Sequence, residues 1–229
     1  EIFSAEKEPV DWNKTGFDDS TWDYAEELKV LGRHFNEAII PFPLMFKKQI
    51  PDLIESIQFA KSILLQGEVH SSEYEEDPAV NLQKEEIKKA QTVKISNADN
   101  LLKDKGVSKV ECSRSGDVSF VFDFGVIVSG RLFLELDTKS GCVIDFTFGE
   151  KRKEDGRVMM QKGIPDGFEV PHAGRYIAKK GMQVWEQFER YGFRYAQITI
   201  RKAHDEIIIH RIGVKSLTYP IVNGGDFLC

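Results

Sequence analysis

Arg131-Leu132-Phe133-Leu134-Glu135-Leu136-Asp137, then Thr138-Lys139-Ser140-Gly141, then Cys142-Val143-Ile144-Asp145-Phe146-Thr147-Phe148-Gly149 is the stretch on which the fold turns. In its first arm Leu132, Leu134 and Leu136 share one face, while Arg131, Glu135 and Asp137 take the other and Phe133 is the apolar exception. In its second arm Ile144, Phe146 and Phe148 alternate with Asp145 and Thr147. A period of two on both sides of a short Gly-containing loop predicts an antiparallel hairpin.

The same rhythm extends in both directions. Val107–Ser113 and Val118–Gly125 flank Arg114-Ser115-Gly116-Asp117, a polar turn that predicts a second hairpin. Gly174–Phe188, Tyr191–Lys202 and Glu206–Val214 continue the series. Turn signals at short intervals predict an all-β antiparallel sandwich or barrel and not alternating βα units. The 16 Phe against 6 Tyr and 3 Trp agree, since aromatic side chains favour pleated, half-buried surfaces. Residues 150–171 break the rhythm: Glu150 to Gly156 reads as a charged hairpin tip, and Gly163, Pro165, Gly167 and Pro171 mark a long loop after it.

The first hundred residues read differently. Ile54–Leu65 is expected to be one long strand, preceded by an extended segment that Pro41, Pro43 and Pro51 keep out of helix. Lys84–Ala90 and Ala98–Lys105 are expected as short helices. Between Gln66 and Asp77 five acids stand without a Lys or Arg, but calcium-loop spacing is missing, so a solvated loop is expected. The expected organisation is residues 1–105 as N-terminal strands, acidic loop and short helices that complete the sandwich, 106–223 as its core, and 224–229 as a lead-in to a further domain.

With 229 residues the chain is long enough to bury about 70% of its unfolded surface without a disulfide or metal staple. Lys+Arg 31 against Asp+Glu 37, a net charge of −6, argues against nucleic acid as a partner, which needs a basic surface. No apolar run approaches the ~20 residues that span a bilayer, so no membrane partner is expected. Glu1 stands where an initiator Met would, which suggests a removed signal sequence or a cut chain. Cys112, Cys142 and Cys229 lack ligand spacing and read as thiols, with Cys112–Cys142 the pair to test in an oxidising compartment.

Motifs for catalysis are sparse. His34, His70, His172, His204 and His210 sit in unlike contexts, and GxSxG, P-loop and HExxH are missing. His210 alternates within Ile207–Ile212 and reads as a strand histidine. Asp18-Asp19 and Asp123 are the nearest carboxylates for acid–base work, but adjacent acids in a turn are usually local hydrogen-bond acceptors. No catalytic residue, metal ligand or cofactor is therefore assigned. Trp12, Trp22 and Trp185 are the candidates for stacking on a sugar, with Trp185 the one whose apolar flanks point to the core.

Two stretches resemble the bacterial α-L-rhamnosidases, which are glycoside hydrolases. Phe122-Asp123-Phe124-Gly125 through Gly130-Arg131 is similar to that family's D-F-G-x-x-x-x-G strand pair, followed by Phe146-Thr147-Phe148-Gly149-Glu150 and the Glu154-Asp155-Gly156 tip. Trp185 to Tyr195 is similar to its W-x-x-x-F-x-x-x-G-F-R-Y run, and Gly16 to Trp22 matches a weaker F-D-D-S-x-W pattern. Gly125 and Gly130 bracket a bend where a side chain would obstruct close strand approach. Tyr191, Phe193 and Tyr195 are expected on one face, with Gly192 permitting tight packing on the other. Arg194 is expected to pair with a carboxylate, Asp123 being one choice, or else to anchor a neighbouring domain.

The resemblance implies a concanavalin-like or jelly-roll sandwich that is non-catalytic, and a parent reaction of hydrolysing terminal α-L-rhamnosides without an organic cofactor. In that family the acid and base lie in an (α/α) barrel after the β-domains, and Gly224 to Cys229 looks like the lead-in to it, so the chain is expected to be inactive by itself. Its expected partners are that barrel, or a second copy through an exposed apolar patch, with a glycan as a further possibility. The polysaccharide-related family points to a periplasmic or extracellular location. The alternative function is a free-standing carbohydrate-binding module.

Overall fold

A computed structural model describes residues 1–25, 47–69, 75–90, 93–111, 117–160, 172–221 and 225. Two units separate by contact density: Glu1–Lys7 with Leu53–Tyr219, and Glu8–Asp52 with Pro220–Cys229. The expected Cys112–Cys142 pair cannot be placed, because Cys112 lies outside the described residues, as do His34, His70 and the expected lead-in other than Gly225.

The first unit is an antiparallel β-sandwich with one parallel pair. Its strands are β1 (Ile2–Ser4), β2 (Ile54–Gln58), β3 (Ser62–Val69), β4 (Lys94–Ser96), β5 (Ser108–Glu111), β6 (Asp117–Thr138), β7 (Cys142–Gly149), β8 (Lys151–Arg152), β9 (Val158–Met159), β10 (Ala173–Ala178), β11 (Gly181–Glu186), β12 (Tyr191–Arg201) and β13 (Glu206–Thr218). One layer runs β1-β10-β7-β12-β6-β3 and uses the first part of β6. The other sets the last part of β6 between β11 and β13, with β2, β5 and β4 beyond β13. The 22-residue β6 thus belongs to both layers.

Neither expected hairpin forms. The last part of β6 lies in the second layer, whereas β7 pairs with β10 and β12 in the first. Thr138–Gly141 therefore carries the chain between layers, with Gly141 at φ +79° and its N–H donating to the Thr138 hydroxyl at 3.1 Å. Likewise β5 pairs with β4 and β13, and the first part of β6 with β3 and β12. The reason is geometric: period two decides which face of a strand is apolar but not which strand its edge N–H and C=O groups pair with, so the same alternation fits a hairpin or a crossing to the facing layer. The expected strand over residues 174–188 divides at the same kind of crossing into β10 and β11, and the one over residues 54–65 divides into β2 and β3.

The core lies between the layers. Phe120, Phe122, Phe146, Phe148 and Phe193 are each at most 1% exposed, and face Leu132, Leu134, Ile207 and Val214 from the second layer. Trp185 on β11 stacks on Tyr176 of β10 at 4.6 Å between centroids and lies 5.7 Å from Phe146, so one ring joins both layers. Burying an aromatic of this size stabilises by roughly 1.5–3 kcal/mol.

The helical expectations shift. The helix over 84–90 is replaced by α1 (Pro78–Lys84), capped by the Asp77 carboxylate accepting from Ala79 N–H at 2.8 Å, with Pro78 in the first turn where a missing N–H costs nothing. From Glu85 the chain is extended, and Lys88 bridges to Glu68. A 3-10 helix occupies Ala98–Leu102. The acidic stretch is not all solvated either: Gln66 to Val69 belong to β3, and Glu68 is 1% exposed.

Candidate functional site

The two motif stretches meet at one ion pair. Arg194 donates from Nε and a terminal nitrogen to the two Asp123 carboxylate oxygens at 2.8 and 3.0 Å, the pairing expected from the sequence. These bonds hold the Asp123 carboxyl below the usual carboxylate range; the Gly125 N–H adds to them and burial opposes them. The pair sits at an irregularity: Phe193 is opposite Val128 and Tyr195 opposite Asp123, so residues 124–127 face Arg194 alone. Phe124 turns into the core against Phe193, while Val126 and Ile127 project at 55% and 63% exposure. Gly125 sits at φ +78° with the Lys61 side chain where a Cβ would be, and a Cβ on Gly130 would lie 2.5 Å from the Lys215 carbonyl.

The same irregularity corrects a sequence expectation. Past Arg194 the inward residues are Ala196, Ile198 and Ile200, so Tyr195 lies on the outer face, opposite to Phe193. Its ring carries the guanidinium groups of Arg194 and Arg152 at 5.0 and 5.3 Å from its centroid. Gly192 has open space where a Cβ would be, so close packing is not its role.

A second cluster covers the outer face of the first layer. Asp145, Arg175, Arg201 and Glu85 are all at most 5% exposed. Asp145 accepts from Arg175 Nε at 2.6 Å and from Arg201 Nε at 2.8 Å. Glu85 accepts from Gln197 at 2.6 Å and Thr199 at 2.7 Å, and is also paired with Arg201. Arg175 reaches past the sheet to the Glu76 carbonyl at 2.8 Å and the Glu75 carbonyl at 3.2 Å. Residues 75–88 thus form a strap pinned to the sheet by charge, and β8–β9 closes over it, with Arg157 donating to the Gln83 and Glu85 carbonyls. Gly67 allows the crossing, since a Cβ there would fall 2.0 Å from the Lys88 carbonyl.

These groups are committed to one another. Asp117 is the carboxyl that burial pushes up, with Arg201 acting against it. It is nevertheless engaged by Arg201 at 3.3 Å and by the Lys202 N–H at 3.1 Å. Among the described residues no group of three or more His, Cys, Asp or Glu could hold a metal ion.

The sugar candidates fall in different units. Trp185 is 6% exposed in the core and offers no face to a ligand. Trp12 and Trp22 belong to the other unit at 48% and 50% exposure, Trp12 donating to Glu8 at 2.9 Å and Trp22 lying 5.4 Å from Phe17. Asp18 caps its own turn by accepting from Ser20 N–H at 3.0 Å, a local role as expected. His172 leans over Tyr191 at 4.6 Å, His204 is exposed, and His210 is half-buried at the β13 bulge.

Residues 113–216 match the family model of the bacterial alpha-L-rhamnosidase concanavalin-like domain. Over these residues the chain is similar to the bacterial α-L-rhamnosidases. The match takes in Asp123, Tyr195 and Arg194, together with Asp145, Arg175 and Arg201, and leaves Glu85 and the strap outside it. The α-L-rhamnosidase from Dictyoglumus thermophilum is similar in fold over 100% of this chain, at 19% identity and a TM-score of 0.56. A GH78 family rhamnosidase of Bacillus sp. GL1 aligns over 64% of it at 24% identity and a TM-score of 0.46. The chain spans 19% and 14% of the lengths of those two proteins, so their whole activities are not carried by the likeness. No curated protein matches the chain.

The concanavalin-like domain also holds residues that sequence reading missed. Asp145, Arg175, Gln197, Thr199 and Arg201 alternate with apolar residues, which is the pattern of a solvated face. One signal was present: two arginines and an aspartate in adjoining strands need partners if the face is covered.

Proposed function

We propose that this chain is the non-catalytic β-sandwich region of an α-L-rhamnosidase, supporting and orienting a catalytic (α/α) barrel carried outside these residues. The observation that carries the reading is the match of residues 113–216 to the rhamnosidase concanavalin-like domain. The committed state of these carboxylates agrees with it: Asp123, Asp145 and Glu85 each hold an arginine, whereas glycoside hydrolysis needs an acid and a base free to face the scissile bond. The parent reaction is hydrolysis of terminal α-L-rhamnosides, in an enzyme placed in the periplasm or outside the cell. The test is turnover of an aryl α-L-rhamnoside by this chain alone and by a polypeptide that continues into a barrel. The reading expects activity only in the second; turnover by the chain alone would overturn it.

A second reading, a free-standing carbohydrate-binding module, is favoured by the half-exposed Trp12 and Trp22. Calorimetric titration with rhamnose and rhamnosylated oligosaccharides separates the two: heat lost in Trp12→Ala or Trp22→Ala supports the module, and flat titrations remove it.

A further inference from the structure

β11 is an edge strand: it pairs with β6 on one side, and among the described residues nothing pairs with it on the other. The Gln187 N–H donates to the Leu132 carbonyl at 2.8 Å. Antiparallel alternation then turns the N–H and C=O of Met182, Val184 and Glu186 away from β6, to the open side. The side chains of Met182 and Val184 are 51% and 59% exposed, and Phe188 just beyond is 87% exposed.

Edges are normally blunted by shortness, bulges, prolines or charges. β1 and β4 are three residues each, and β3 carries a register shift and is bridged by Lys88. β11 has six residues in unbroken register, with no proline and no charge between Gly181 and Glu186. Its inward side is fixed: Gln183 accepts from Tyr176 at 2.8 Å and from Lys179 N–H at 3.0 Å, and Trp185 is locked in the core. The edge is presented ready-made, without a folding step to complete it.

The sequence of the edge is complementary to itself. Antiparallel pairing of two copies about Gln183 sets Met182 of each opposite Val184 of the other, and both are residues whose backbone groups point outward. The same register brings the exposed Lys180 of each copy beside Glu186 of the other, a carboxylate that Arg131 and Lys215 hold at the end of the edge within its own copy. Opposed apolar and opposite-charge pairs are the units that stabilise an antiparallel ladder. We infer that the chain forms a two-fold dimer by pairing β11 with β11 of a second copy, extending the second layer of the sandwich across the axis.

Sedimentation velocity of the chain from micromolar to millimolar concentration tests this. The expected result is a monomer–dimer equilibrium that Val184→Lys abolishes and Ile127→Lys, at an exposed apolar position away from the edge, leaves unchanged. Met182→Glu is the second edge variant, and circular dichroism establishes that each variant is folded. A monomer throughout, a dimer indifferent to both edge variants, or growth into larger species would each overturn the inference.

Discussion

Asp123 and Arg194, 71 residues apart, close a two-bond ion pair across the place where β6 gains residues over β12. It joins the two stretches by which the chain resembles its family. The side chain of Arg194 is 41% exposed, so solvent screens the attraction, and the geometric role outweighs the energetic one. Asp123→Asn is expected to give a small loss of thermal stability and a larger rise in hydrogen exchange at Val126 and Ile127. Because the folded Asp123 carboxyl titrates below its unfolded value, the contribution is present at neutral pH and lost on acidification through the folded titration. The melting difference between parent and variant should therefore shrink in acid; a difference constant with pH would exclude the assignment.

Glu85 holds the strap through Arg201, Gln197 and Thr199. Glu85→Ala leaves Arg201 buried with one partner fewer, a change that typically costs about 3–5 kcal/mol. Urea denaturation checks the magnitude, and exchange of the amides of 75–88 checks that the strap is what loosens.

Asp117 behaves in the opposite sense. Asp117 shares Arg201 with Asp145 and Glu85, so three carboxylates meet around one guanidinium. Burial raises the Asp117 carboxyl in the folded state, so its ionisation costs stability, and that loss appears as pH rises through the folded titration. Asp117→Asn keeps an acceptor for the Lys202 N–H and removes the charge that burial disfavours. The variant is expected to melt higher than the parent at neutral pH, with the gap closing in acid.

Two glycines predict contrasting outcomes. Gly67→Ala drives a methyl into the Lys88 carbonyl and should cost on the order of 1–3 kcal/mol by forcing the strap off the sheet. Gly192→Ala meets nothing within 4 Å and should be nearly neutral in the same melt.

Trp185→Ala removes the ring shared by the two layers. The expected loss is about 3–5 kcal/mol, with no change in any glycan binding, since the ring is buried. Denaturation and titration on the same variant separate a core role from a ligand role.

Alternation along the last part of β6 and along β7 determined from sequence which residues are strand and which side of each faces the core, because side-chain period is a local property of the pleat. The Asp123–Arg194 pair was legible too, since both residues lie in motifs whose order and spacing repeat a family pattern. Partner and layer were not legible. Thr138–Gly141 reads as a hairpin turn but passes between layers, because alternation fixes the apolar face of each strand and leaves open which strand its backbone edge pairs with. Nor did alternation reveal that Asp145, Arg175 and Arg201 are buried, since it distinguishes polar from apolar and not wet from covered. The covering is supplied by residues 75–88, more than fifty positions away, and only the tertiary structure brings Glu85 over the sheet to turn a polar face into a closed set of ion pairs.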